Sequence, residues 1–250
     1  MYQLFKSSNI FLEAEIPVVD YPLWMTCLTP PFIVPNVQFF AVNYQADEVD
    51  FTHPCISQIT IPESLSKAIH KRKAEYVIGR YCAHQALSLI GIRSSVGRCS
   101  DGSPNWPLSF VGSITHTHCF SMAAVSTSRD YMGIGIDSEI INSSINIGSF
   151  AEQFITTEEY NLAIIHKFAI EAWLYIVFSA KESIYKSLYP QIKTYFDFFD
   201  VRVISLHQID SKQGSLVAQL TTQLGCFKEG FLLNCSYLID EPYIHTHVLL

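Results

Sequence analysis

The segment that says most about the fold of this chain is Phe178-Ser179-Ala180-Lys181-Glu182-Ser183-Ile184-Tyr185-Lys186. Apolar residues recur every three or four positions around it, which predicts a long helix over about residues 168–188. Glu182 and Lys186 are four residues apart and share one helix face, where they form either a surface ion pair or part of a charged site. Lys181 points about 100° away and need not join them.

Two acidic residues follow an apolar stretch upstream of this helix. Residues 132–136 predict a strand that ends in Asp137, and Glu139 lies on the same face as Asp137 because side chains alternate along a strand. If the two carboxylates are partly buried, they share a proton or a hard cation such as Mg²⁺; a solvated strand end is the alternative. Gly133 and Gly135 do not form a dinucleotide-binding loop, because the third glycine is missing and acids follow.

A basic cluster lies on a second predicted helix, which begins near Pro62 and ends near Leu89. Five of the 16 basic residues fall within residues 67–80 of a chain whose net charge is −7. Such a local concentration favours an anionic ligand, although a solvated helix face would have the same composition. The five residues are Lys67, Lys71, Arg72, Lys73 and Arg80.

The remaining pattern predicts an α+β fold. Strands are expected at 39–42, 110–114, 121–125, 216–220 and 231–238 and directly after Asp200, with a loop over 92–109. Thr156 and Glu159 have the spacing of a capping box and predict a helix from about residue 157. Each half then carries one long helix beside a sheet that we expect to be antiparallel. This predicts two similar α+β lobes, an N-terminal lobe over 1–128 and a C-terminal lobe over 129–250.

Composition excludes several classes of protein. Of the 250 residues, 49% are hydrophobic and 16% are charged, which excludes a disordered chain, and the acidic balance argues against a nucleic-acid binder. No apolar run has the length of a membrane-spanning helix, and the N-terminus lacks a secretory signal. Seven cysteines without a C-x-x-C pair predict reduced thiols in a cytoplasmic protein, and the pair His116 and His118 lacks a third zinc ligand.

Five segments in this order resemble the 4′-phosphopantetheinyl transferases, and most of all the enterobactin-synthase D-component group of the surfactin-type branch. They are residues 71–80, 102–107, 112–116, 135–139 and 178–186. The resemblance implies a pseudo-dimeric fold of two similar lobes in one chain, hence a monomer, with the ligand between the lobes. It also implies that Mg²⁺ and coenzyme A (CoA) are used. The phosphopantetheine arm of CoA would pass to a serine of an apo carrier protein with release of 3′,5′-ADP, in siderophore or other secondary-metabolite biosynthesis.

The resemblance also assigns roles to residues. Asp137, Glu139 and Glu182 would hold Mg²⁺ against the CoA pyrophosphate, and Glu182, directly or through water, would take the proton of the carrier serine. Lys186 would stabilise or protonate the leaving phosphate, and Lys181 would add positive field. The remaining CoA contacts would come from Lys71, Arg72, Lys73, Arg80, Gly102, Ser103, Pro104, Thr115 and His116.

This chain departs from the family pattern at three positions within the five segments. Thr115 replaces the usual serine, Ser103 stands where many relatives have a basic residue, and Ser138 replaces an aliphatic residue. Two alternatives stay open: another Mg²⁺-dependent nucleotide or CoA phosphoryl-transfer enzyme, and a non-catalytic CoA-binding protein. The chain lacks a G-x-x-x-x-G-K-[ST] loop, and all three acids are present.

Overall fold

The computed structural model describes residues 21–141 and 150–250. Residues 1–20, which form the start of the predicted N-terminal lobe, lie outside this part of the chain, as do residues 142–149. None of the helices in the two described ranges is long and apolar enough to cross a membrane.

The N-terminal region is a four-stranded antiparallel sheet that packs against one long helix. The sheet has the order β1-β2-β6-β5, and the helix is α1 (His70–Ser88). A two-stranded ribbon, β3 (Gly97–Arg98) with β4 (Pro104–Asn105), lies between α1 and β5 in the chain. The strands of the sheet are β1 (Met25–Leu28), β2 (Gln38–Tyr44), β5 (Phe110–His116) and β6 (Phe120–Thr127).

The C-terminal region repeats this design with a five-stranded antiparallel sheet of order β7-β11-β10-β9-β8. Its long helix is α3 (Ile170–Ile192), which is preceded by α2 (Thr157–Ile165). The five strands are β7 (Ile134–Ile140), β8 (Val201–Gln208), β9 (Gln213–Leu220), β10 (Leu232–Asp240) and β11 (Tyr243–Leu249).

Three apolar clusters hold the molecule together. One lies under α1 and a second under α3, so each helix buries its apolar face on its own sheet. The third joins the two lobes, because Phe39 and Met122 of the N-terminal sheet pack with Ile134 and Ile136 of β7. Burying one such side chain contributes about 1.5–3 kcal/mol, so this shared cluster stabilises the arrangement of the lobes.

The edge strands β5 and β7 meet at the boundary between the two sheets. The amide of Ile136 donates to Ser113 Oγ at 3.1 Å, and the amide of Ser138 donates to Thr115 Oγ1 at 3.0 Å. Side-chain hydroxyls of β5 therefore satisfy backbone donors of β7. Because the two edges face each other, residues 113–116 are brought next to residues 136–139.

Most of the predicted elements are confirmed, including the antiparallel sheets and the capping box of Thr156 and Glu159. The acids lie within β7 rather than after it, because β11 pairs with β7 as far as Ile140. The predicted loop 92–109 contains the β3–β4 ribbon. Strand β11 was not predicted from the sequence, because His245 and Thr246 are buried polar residues that break the apolar alternation.

The start of the first long helix was predicted wrongly. Glu63–Leu65 forms only a short 3-10 turn, and α1 begins at His70 because Ile69 is extended (φ −62°, ψ 158°) and redirects the chain. Lys67 therefore precedes the helix, and the basic cluster on α1 consists of the other four cations.

Candidate active site

Two glycines allow α3 to lie directly on β7. A Cβ atom at Gly133 would overlap the carbonyl oxygen of Ser187, and one at Gly135 would overlap the carbonyl oxygen of Ser183. The glycines thus serve close packing of helix on strand rather than a dinucleotide loop. This contact places the face of α3 that carries Lys186 over Asp137.

Lys186 and Asp137 form the centre of the site. Lys186 Nζ lies 2.6 Å from Asp137 Oδ1 and also donates to the carbonyl of Ile136 at 3.2 Å. Thr115 Oγ1 donates to the same Asp137 Oδ1 at 3.3 Å. Asp137 Oδ2 is buried and has no hydrogen-bond partner among the described residues. A buried acceptor without a partner is unfavourable, so this oxygen is available to a ligand.

The two carboxyl groups near Asp137 have raised pKa values. Burial and the charge of Asp137 raise the pKa of Glu139 to about 8, and burial, followed by the charge of Asp137, raises the pKa of Glu182. For Lys186, burial lowers the pKa, but the surrounding carboxylates raise it by more, so it stays protonated. Three carboxyl groups thus share one ammonium group, and an added cation would relieve their repulsion.

The residue types of the three acids are compatible with a magnesium ion, but other ligands would have to complete its coordination. Within residues 21–141 and 150–250, no three Asp, Glu, His or Cys side chains are gathered closely enough to hold an ion alone. Mg²⁺ is usually bound by one or two carboxylates together with substrate phosphates and water. The unpartnered Oδ2 of Asp137 and the raised pKa of Glu139 agree with such a partial set of ligands.

A basic recess of about 160 Å³ opens beside this centre. Arg72, Arg80 and Arg98 line it together with His116. Arg72 Nη1 lies 3.0 Å from Glu75 Oε2 and 3.4 Å from His116 Nε2. Burial lowers the pKa of His116 to about 4, so its ring is neutral at pH 7. Three guanidinium groups and a neutral imidazole are suited to bind phosphate oxygens.

The structure separates the basic residues of α1. Arg72 and Arg80 line the recess, whereas Lys71 and Lys73 do not, since each is turned about 100° from Arg72 around the helix. Arg80 is 6% exposed, and its Nε donates to the carbonyl of Gly97 at 3.1 Å. Arg80 therefore also fixes the β3–β4 ribbon against α1.

A larger cleft, of about 310 Å³, runs between the lobes. Trp106 and Phe110 line its N-terminal wall, Tyr185 and Tyr189 line its C-terminal wall, and Lys186 is also on its surface. Aromatic walls with a cation suit a ligand that has a flat ring and negative charge.

Ser103 and Pro104 also line this cleft, while Gly102 and Pro104 line the basic recess. The amide and hydroxyl of Ser103 donate to Asp101 Oδ1 at 2.9 and 2.6 Å, and these bonds lower the pKa of Asp101 to about 2. Asp101 Oδ2 accepts from Tyr189 at 3.2 Å, which ties this turn to α3.

Lys181 does not join the site. Its side chain is 1% exposed, and Nζ lies 2.9 Å from Glu159 Oε1 and donates to the carbonyls of Phe154 at 2.7 Å and Phe198 at 3.1 Å. All three ammonium protons are thus used inside the C-terminal lobe. The expected contribution of Lys181 to CoA binding has no geometric support, because its ammonium group points into the core.

Sequence reasoning missed Arg98 and Asp101. Arg98 reaches the recess because β3 pairs with β4, where it stands opposite Pro104. Gly97 and Gly102, which flank this stretch, are a signal of a hairpin that could have suggested the pairing. Asp101 contacts Tyr189 across the lobe boundary, and no local pattern marks that contact.

Comparisons with known proteins identify the family of this chain. The 4′-phosphopantetheinyl transferase N-terminal domain matches residues 61–126, and the 4′-phosphopantetheinyl transferase superfamily matches residues 133–239. Enterobactin synthase component D of Salmonella typhi is 30% identical over 175 residues, which cover 67% of this chain and 72% of that protein. The chain belongs to the 4′-phosphopantetheinyl transferase superfamily.

Within the superfamily, the chain falls in the group that resembles enterobactin synthase component D. The Salmonella typhimurium protein of that name is 34% identical over 144 residues, 58% of this chain and 59% of that protein. The 4′-phosphopantetheinyl transferase Svp of Streptomyces mobaraensis is 32% identical over 160 residues, 62% of each chain. The chain thus spans about three fifths of the length of these two relatives.

Proposed function

We propose that this protein transfers the 4′-phosphopantetheine arm of CoA to a serine hydroxyl of an apo carrier protein and releases 3′,5′-ADP. The observation that carries the proposal is the Asp137–Lys186 pair at the lobe boundary. Asp137 keeps one buried oxygen without a partner among the described residues, with Glu139 and Glu182 nearby.

The charge distribution supports CoA as the co-substrate. The chain has a net charge of −7, yet Arg72, Arg80 and Arg98 surround one recess. CoA carries a 3′-phosphate and a pyrophosphate, which match this local cation cluster. Of the three consecutive cations at 71–73, we propose Arg72 as the phosphate ligand. His116 would contact a phosphate beside it, and the turn Gly102-Ser103-Pro104 would border the adenosine.

Asp137, Glu139 and Glu182 would hold the Mg²⁺ ion of the proposed reaction. When bound, the ion would offset the charge that develops on the pyrophosphate oxygens. The three carboxyl groups would otherwise remain a repulsive cluster, with Lys186 as the neighbouring cation.

The residues of the chain can account for the proton movements. The carrier serine oxygen would bond to the phosphorus that bears pantetheine, while the phosphoanhydride bond to 3′,5′-ADP breaks. Glu182 would accept the serine proton directly or through water, since its raised pKa makes it a stronger base than a surface glutamate. Lys186 would stabilise or protonate the leaving phosphate.

The finer parts of the proposal rest on the relatives and on the sequence. Similarity to enterobactin synthase component D supports a role in siderophore or other secondary-metabolite biosynthesis. The lobe boundary at 128/129 agrees with strand β6 ending at Thr127 and β7 beginning at Ile134. The monomeric state and the cytoplasmic location remain predictions.

Mass spectrometry of the carrier tests the proposal. The protein is incubated with CoA, Mg²⁺ and several apo carrier proteins, and each carrier is weighed before and after. We expect a gain of one phosphopantetheine group on at least one carrier. The absence of any gain across aryl, peptidyl and acyl carriers would reject the proposal, and hydrolysis of CoA without a carrier would favour a different phosphoryl-transfer enzyme.

Glu182→Gln provides a sharper test of the site. We expect this variant to lose transfer while it keeps its circular dichroism spectrum and its thermal unfolding temperature. Glu171→Gln on the same helix, three turns away, is the matched control, and it should retain transfer. Full activity in Glu182→Gln would remove Glu182 from the proposed mechanism.

A further inference from the structure

We infer that Thr115 is a positioning residue, which orients the Asp137 carboxylate toward a divalent cation from across the lobe boundary. The inference rests on the metal site of the proposed function. It replaces the expectation that the Thr115 hydroxyl contacts CoA phosphate.

The hydrogen bonds of Thr115 carry the inference. Its side chain is buried, at 2% exposure. Oγ1 accepts from the amide of Ser138 at 3.0 Å and donates to Asp137 Oδ1 at 3.3 Å. A hydroxyl has only one proton to donate, and this proton is directed at Asp137. None remains for a phosphate oxygen, which would need a donor.

These bonds determine how the carboxylate of Asp137 is turned. The terminal torsion of an aspartate is soft, so hydrogen bonds rather than rotamer preference set it. Thr115 and Lys186 both bond to Oδ1, from β5 and α3 respectively. Oδ2 is therefore the oxygen that stays buried without a partner among the described residues. A residue that hydrogen-bonds a metal-binding side chain without touching the metal commonly fixes the orientation of that side chain in this way.

The position of Thr115 on β5 separates its role from that of His116. Successive side chains of a strand point to opposite faces, so Thr115 turns toward β7 while His116 lines the basic recess. The task of binding phosphate thus falls to His116. Threonine suits the positioning role because its branched Cβ restricts the first side-chain torsion.

Ser113 offers a matched control on the same face of β5. Its Oγ accepts from the amide of Ile136 at 3.1 Å, as Thr115 accepts from Ser138. Both hydroxyls join the two lobes, but of the two only that of Thr115 bonds to the carboxylate of Asp137 within the described residues. Removing either hydroxyl therefore removes a lobe contact. Only the loss of the Thr115 hydroxyl also removes a bond to Asp137, whose Oδ1 then keeps its bond to Lys186.

The test measures Mn²⁺ binding by electron paramagnetic resonance, with CoA present and the carrier protein absent. We expect Thr115→Val, which lacks the hydroxyl, to weaken Mn²⁺ binding about tenfold or more. Thr115→Ser keeps the hydroxyl and should bind Mn²⁺ as the unmodified protein does. Ser113→Ala should keep the affinity of the unmodified protein for Mn²⁺. Thermal unfolding of all variants checks that each one is folded, and Ser113→Ala supplies the reference for loss of a lobe contact.

CoA affinity without metal, measured by calorimetry, separates positioning from substrate contact. We expect Thr115→Val to bind CoA as tightly as the unmodified protein does. Weaker CoA binding by Thr115→Val would overturn the inference, and so would an equal loss of Mn²⁺ affinity in Ser113→Ala or absence of Mn²⁺ binding to the unmodified protein. The proposed function is judged separately, by carrier modification, so it can stand if the role of Thr115 fails.

Discussion

Lys186 Nζ and Asp137 Oδ1 lie 2.6 Å apart, although 49 residues separate them in the chain. The two residues meet because Gly133 and Gly135 let α3 pack directly on β7. The pair is 28% and 6% exposed, so water screens it only weakly. The pair joins α3 to β7. Thr115 of the N-terminal lobe bonds to the same carboxylate of Asp137.

Removal of the Lys186 ammonium should impair the chemical step. We expect Lys186→Met to lower kcat about 100-fold or more, because the variant lacks the charge that we propose stabilises the leaving phosphate. The KM for CoA should change less, since the three arginines of the recess remain. Steady-state transfer to an apo carrier measures both constants, and an effect confined to KM would contradict the assigned role.

The geometry of α1 predicts which of its cations contributes most to CoA binding. Arg72→Gln should weaken CoA binding more than either Lys71→Gln or Lys73→Gln does, because within the described residues only Arg72 of the three lines the recess. Losing one charge-assisted hydrogen bond corresponds to about a tenfold change in affinity or more. Calorimetric titration with CoA ranks the three variants, and a larger loss in Lys71→Gln would show that the phosphates bind elsewhere.

The buried Lys181–Glu159 pair predicts a change in stability without a change in CoA affinity. Lys181→Met leaves Glu159 buried without its cation, which costs about 3–5 kcal/mol of unfolding free energy. Urea denaturation measures this loss. The folded variant should bind CoA with unchanged affinity, because Lys181 Nζ is directed at Phe154, Phe198 and Glu159. Weaker CoA binding with unchanged stability would restore Lys181 to the binding site.

The contact between α3 and β7 tolerates no side chain at Gly135. Gly135→Ala should displace α3 from β7, lower the unfolding temperature and abolish transfer, since the added methyl group overlaps the carbonyl of Ser183. Gly97→Ala is the control, because its Cβ would meet its nearest neighbour, Asn105 Cβ, at 3.8 Å, an ordinary contact. Equal stability of the two variants would disprove the tight packing described for this helix.

Buried histidines predict that stability falls in acid. Burial lowers the pKa of His245 from 6.5 to about 4, against the smaller opposing effects of Asp240 and Asp137. Between pH 6.5 and 4 the unfolded chain binds this proton and the folded chain does not, so the unfolding free energy decreases as the pH falls through that window. One such histidine contributes a slope of up to about 1.4 kcal/mol per pH unit.

Urea unfolding at pH 7.5 and pH 5 measures this effect. His245→Gln should reduce the slope, because glutamine does not titrate and can still bond to Ser138. A smaller slope should remain, because burial also lowers the pKa of His116 and His247 to about 4. An unchanged slope in His245→Gln would show that this histidine is protonated equally in the folded and unfolded states.

Local pattern was enough to predict most of the helices and strands. The capping box of Thr156 and Glu159 and the apolar stripe around Trp173 act over a few residues, so they can be read directly. Errors arose where distant contacts decided the structure. Strand β11 is held by its neighbours in spite of the buried His245, and α1 begins late because Ile69 redirects the chain.

By itself, the sequence determined most of the candidate site residues and the family resemblance, and the comparisons confirm the family. Residue type and spacing paired Asp137 with Glu139 and Glu182 with Lys186, because side chains at these intervals share a strand face or a helix face, and the family resemblance then assigned their roles. Only the tertiary structure decided where each charge points. It turns Lys181 into the core and Lys186 onto Asp137, and it brings Thr115 and Arg98 to the site. The physical reason is that direction depends on how whole helices and strands pack, and the bonds involved join residues many positions apart.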